Sequence, residues 1–120
     1  MRVVLMRLAL ALGAIGVLSG CAASPESISA SYVSPISYNN FSCADLAAES
    51  ARVDAALVQA SSQQEQAHGN DVVGVLLIGV PVSTLSGTNV APQVASLKGQ
   101  QDALRLSTIQ KHCTHTASFK

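Results

Sequence analysis

The chain has no tryptophan, and its aromatic side chains number four: Tyr32, Tyr38, Phe41 and Phe119. Few residues can therefore supply the large buried areas that stabilise compact domains, which argues against a thick globular core. Charge is scarce as well. Seven Lys and Arg face seven Asp and Glu in 120 residues, with no cluster of either sign. Nucleic-acid binding draws on a basic face, and the sequence has none. Serines are plentiful, but none sits in a recognisable elbow motif with a base and an orienting acid, as nucleophilic catalysis requires. The expectation is a protein that is not an enzyme, holds no cofactor and has no evident small-molecule substrate.

One long apolar run stands at the N-terminus. Arg2 and Arg7 form a positive start, Leu8 to Val17 an apolar stretch, and Leu18-Ser19-Gly20-Cys21 closes it with small residues before a cysteine. The apolar stretch is short of the roughly 20 residues that span a bilayer, so a cleaved signal suits it better than an anchor helix. The segment resembles the bacterial lipobox. That resemblance implies cleavage between Gly20 and Cys21, diacylglyceryl modification of the Cys21 thiol and acylation of its new amino group. Each buried CH₂ contributes about 0.8 kcal/mol, so several acyl chains hold a protein on a bilayer essentially permanently. Ala22 and Ala23 follow the cysteine in place of an aspartate. In the lipoprotein class that pattern implies an outer-membrane location facing the periplasm.

Removing residues 1–20 leaves 100 residues with a net charge of −2, one small domain at most. Chains of this kind usually need a staple or a partner. With Cys21 taken by lipid, Cys43 and Cys113 remain as an even pair in an oxidising compartment, where disulfides persist. They are expected to bond to each other.

Residues 22–41 are rich in Ser, Ala and Asn, and Pro25 and Pro35 disfavour helix at and before their own positions. Residues 21–41 are expected to form a lipidated, flexible tether, with packing of Tyr32 and Tyr38 on a helix or a partner as the alternative. From Cys43 the pattern turns helical: Ser42 suits an N-cap, Asp45 a near-match to the capping box, and Glu49 the positive end of the helix dipole. Cys43, Leu46, Val53, Leu57 and Ala60 form a narrow apolar seam, interrupted by Ser50 and Gln64, in a helix read to His68. A second helix is expected from Ala91 to His112, with Pro92 in its first turn. Val94, Leu97, Leu104 and Ile109 supply its apolar side, broken by Gln101. Gly99 costs about 1 kcal/mol relative to Ala there, unless its lack of a side chain admits another backbone.

Between the helices lies residues 71–86, DVVGVLLIGVPVSTLS, uncharged after Asp71, with Gly79-Val80-Pro81 as its natural break. Cys43 and Cys113 lie equally far in sequence from Ile78, as do Gly69 and Gly87. The fold class expected is mainly α: an elongated antiparallel helical hairpin over residues 42–113, Gly-containing joints, an apolar tip, a disulfide at the open end and a tail at 114–120. The apolar run admits three readings: a buried turn, a surface for self-association or a protein partner, or a tip dipping shallowly into lipid.

Tyr-Val-Ser-Pro, a later Tyr and an aromatic-Ser-Cys, followed by Leu-Ala-Ala-Glu and closed by Leu-Lys-Gly-Gln and Ile-Gln-Lys-His-Cys, resemble a group of small proteobacterial lipoproteins. The resemblance covers most of the chain after Cys21 and implies no particular activity. Members of that group carry aromatics in the apolar middle, where this chain has Leu76-Leu77-Ile78-Gly79-Val80-Pro81.

The functional expectation is an envelope lipoprotein with a structural or adaptor role, held by lipid through Cys21 and presenting a helical surface to an envelope partner. The competing expectation is a metal-binding or redox lipoprotein, because Cys43, His112, Cys113 and His115 offer two thiolates and two imidazoles to Cu or Zn.

Overall fold

The computed structural model describes residues 21–114. The expected signal segment, residues 1–20, and the last six residues, His115 among them, lie outside the described residues. Among the described residues three helices follow an N-terminal strap that carries two short 3₁₀ turns: α1 (Cys43–Ile78), α2 (Val82–Ser86) and α3 (Ala91–Gln110).

Helix α1 starts where Ser42 and Asp45 complete a capping box. Ser42 Oγ accepts the Asp45 N–H at 3.1 Å, and Asp45 Oδ2 accepts the Ser42 N–H at 2.9 Å, satisfying two donors that a helix start leaves open. Its 36 residues rise about 1.5 Å each, or roughly 54 Å. The expected end at His68 is therefore wrong, and Gly69 is an interior residue, not a joint. The reason is visible in spacing: Ala60, Gln64, Ala67, Asp71 and Gly74 are all buried, so one three-and-four seam continues through the start of the apolar run. The break falls at Gly79, whose φ of 76° forms a left-handed cap with its N–H on the Val75 carbonyl. Gly87, φ 70°, ends α2 in the same way.

The hairpin is as expected: α1 and α3 pack antiparallel, and Cys43 and Cys113 are bonded, with Cα atoms 5.6 Å apart. The core comprises Leu46, Val53 and Ala60 of α1, Val94, Leu97, Ala103 and Leu104 of α3, and Tyr38 of the strap, flanked by Ile28, Val33 and Phe41. Gln101, which breaks the apolar side of α3, instead donates across the hairpin to Asp54 Oδ1 at 2.7 Å.

Residues 22–41 are not the loose tether expected from composition. They run along the hairpin as a third layer. Ser31 N–H donates to the Ala95 carbonyl at 2.8 Å, Lys98 Nζ donates to the carbonyls of Pro25 and Ile28 at 2.7 Å each, and Lys111 Nζ donates to that of Asn39 at 2.8 Å. Pro25 and Pro35 open the 3₁₀ turns Pro25–Ser27 and Pro35–Tyr38, taking the first position, where a missing N–H costs nothing. Of the two tyrosines, Tyr38 is buried and packs edge-on against Phe41, while Tyr32 is 87% exposed. Gly99 is what lets the strap lie so close. A Cβ there would sit 1.8 Å from the Ser31 carbonyl oxygen.

Candidate functional site

The two ends of this rod, about 70 Å in its long dimension, carry different chemistry. At one end the Cys43–Cys113 bond closes the hairpin, and Cys113 packs against the core. Helix α3 ends at Gln110, two residues before its expected end. His112 follows with φ 52°, a left-handed turn unusual for a residue with a Cβ, and the Cys113 N–H closes on the Thr108 carbonyl at 3.1 Å. The turn delivers Cys113 to Cys43. Both sulfurs are thus spent in the bond, and neither remains a thiolate for the cluster of Cys43, His112, Cys113 and His115. Metal affinity there would rest on His112 and on His115, the latter outside the described residues.

At the other end Cys21 is exposed, yet the next residue, Ala22, is buried. Its peptide N–H donates to Asp71 Oδ2 at 2.6 Å, and its carbonyl lies 2.7 Å from His68 Nδ1, which must carry the proton in that contact because a carbonyl only accepts. Gln64, fully buried, links three segments: its Nε2 donates to the Ala23 carbonyl at 2.9 Å, and its Oε1 accepts the Val90 N–H at 2.8 Å.

Asp71 is the centre of this arrangement. Besides Ala22 it holds α2, accepting the Ser83 N–H on Oδ1 and the Ser83 hydroxyl on Oδ2, each at 2.6 Å. Burial pushes the carboxyl toward its neutral form. The hydrogen bonds from Ser83 and Ala22, with the nearby His68, outweigh that and hold its pKa below the ordinary 3.8. One carboxylate therefore ties the strap, α1 and α2 together.

Beyond Asp71 most of the large apolar side chains face outward. Leu76, Leu77, Ile78 and Leu85 are 79, 78, 68 and 75% exposed, so the buried-turn reading of the apolar run does not hold for them. The Val80-Pro81-Val82 return crosses over Gly74, where a Cβ would meet Val82 Cγ2 at 2.6 Å, yet Val80 and Val82 themselves stay exposed and it is Ser83 that is buried. Sequence reasoning found the Cys43–Cys113 bond and the apolar run and singled out Cys21, but missed the Asp71, Gln64, His68 and Ser83 clasp. The available signal was that Gln64 and Asp71 occupy seam positions, where an unpaired polar group would be too costly to keep. Compared with family models, curated proteins and solved structures, the chain matches none.

Proposed function

We propose that the chain is an envelope lipoprotein, anchored through Cys21 on the periplasmic face of the outer membrane. Its role is structural or adaptor-like: it presents a disulfide-stapled helical surface to an envelope partner and performs no catalysis. The observation that carries this reading is the contrast between exposed Cys21 and enclosed Ala22. A lipid on Cys21 joins the rod with no free spacer, so the long flank is displayed at a set distance from the anchor. Tyr32 on the strap and Leu106 on α3 line one cleft of that flank, both exposed, and an exposed aromatic beside an aliphatic is the composition that partner surfaces favour.

The clasp is compatible with acylation. It uses the peptide N–H of Ala22 and not the amino group of Cys21. Replacing Cys21 by Ala should abolish lipid attachment and leave unprocessed precursor, read by palmitate labelling and mass; mature-sized, membrane-bound Cys21→Ala protein would overturn the anchor. A photo-crosslinker at Tyr32 in whole cells should capture an envelope protein that one at exposed Asn40 does not, and equal capture at both would remove this flank from the reading.

A further inference from the structure

The exposed leucines and the anchor point share one end of the molecule, and we infer that the apolar end, residues 72–85, enters the lipid interface beside the acyl chains of Cys21. This deepens the lipoprotein reading and rests on it. Three observations carry it.

The first is continuity. Ala22 is bonded to Asp71 at the base of the apolar end, and the strap contacts run from Gln64 to His68 to Asp71 as the chain passes back from Ala23 to the Ala22 N–H. Cys21 therefore continues toward the tip. Acyl chains on it meet a bilayer at the end of the molecule that carries Leu76, Leu77 and Leu85.

The second is depth. From Asp71 to Ile78 the helix rises about 10 Å at 1.5 Å per residue, and elements that lie in the interface bury their apolar faces by about 5–10 Å. With Cys21 at headgroup level, the tip reaches the upper acyl region and no further. Among the described residues no helix is long and apolar enough to cross a membrane, which agrees with shallow entry.

The third is chemistry. No Asp, Glu, Lys or Arg lies between Asp71 and Lys98, and Asp71 itself is enclosed with both oxygens occupied, so shallow insertion strips water from no charged side chain. The helix end that enters is already closed by the Gly79 cap. An apolar surface of this kind left in water would favour aggregation; lipid covers it as a direct result of anchoring.

The test uses the full chain, expressed and processed in cells. Cys21 is blocked by lipid and Cys43 is bonded to Cys113, so a Leu77→Cys variant offers one free thiol for a polarity-sensitive fluorophore, and Leu85→Cys is a second, independent position. The protein is reconstituted into vesicles of phosphatidylethanolamine and phosphatidylglycerol carrying spin-labelled lipids. Labels at 77 and 85 should shift to the blue and be quenched several-fold by lipids labelled near the headgroup, while one at Asn40→Cys stays as in water. Water-like emission at 77 and 85 in lipidated protein overturns the insertion and leaves the anchor standing. A blue shift without lipid quenching, growing with protein concentration, overturns it in favour of a second copy. Mass spectrometry of the same sample reports the anchor separately: if the Cys21 thiol is free, the labels are placed in a Cys21→Ser background, where a lipid-quenched shift on adding vesicles retains the insertion alone, and its absence overturns both.

Discussion

Asp71 and Ser50 show how differently one buried polar residue can behave from another in the same seam. Asp71 has three donors and is held ionised. Its proton affinity is lower folded than unfolded, so the clasp adds stability that is fully present above the unfolded value near 3.8 and drains away as pH falls through the lower folded value. Hydrogen exchange should find the Ala22 and Ser83 amides protected at pH 5 and released only below about 3.8. Asp71→Asn should raise their exchange at all pH values and erase that dependence. Ser50, by contrast, is buried with its hydroxyl unpaired. An unsatisfied buried group costs about 1–3 kcal/mol, and Ala is also the better helix former. Ser50→Ala should accordingly stabilise the fold by about 1 kcal/mol, and a gain of that size moves the midpoint of a domain this small by about 4–8 °C. Calorimetry showing a lower midpoint would mean that the hydroxyl has a partner in solution.

Among the elements, the strap separates what composition conveys from what packing decides. Capping, the Gly79-Val80-Pro81 break and the start of α3 were legible because they depend on residues within a few positions of one another. The docking of 22–41 was not, since Ser, Ala and Asn read as linker until Gly99, Lys98 and Lys111 are seen to receive its backbone from 70 or so positions away. Sequence periodicity also undercounts α1, because Gln64 reads as an interruption of the seam and Asp71 as the start of a separate apolar run, whereas their hydrogen bonds make both seam residues. Two glycines test the strap directly. Gly69 lies in α1 with nothing within 4 Å of a built Cβ, and Gly69→Ala should stabilise by about 1 kcal/mol through helix propensity. Gly99→Ala gains the same propensity but drives a Cβ into the Ser31 carbonyl. It should lower the melting temperature and open the strap to protease cleavage between residues 22 and 41, whereas a linker that merely hung from the hairpin would leave both glycine variants equally stabilised.

For the molecule as a whole, the disulfide and the clasp sit at opposite ends of the same rod, so each can be removed while the other stays. The Cys43–Cys113 bond spans 70 residues of sequence, and loop-closure entropy assigns such a link about 4 kcal/mol, acting largely on the unfolded chain. A thin core with Leu46, Val94 and Leu104 as its fully buried aliphatics supplies each buried side chain with about 1.5–3 kcal/mol, so losing the staple should be felt across the whole transition. The paired variant Cys43→Ser with Cys113→Ser, which leaves no odd thiol, should unfold at markedly lower denaturant while the Ala22 amide keeps the pH profile set by Asp71. If Cys21 carries the proposed anchor, membrane attachment should be unchanged as well, because Cys21 lies at the far end. Loss of Ala22 protection at pH 7 under fully native conditions would show that the two ends are coupled through the core; retention would show that the Cys21 end holds its geometry by its own hydrogen bonds.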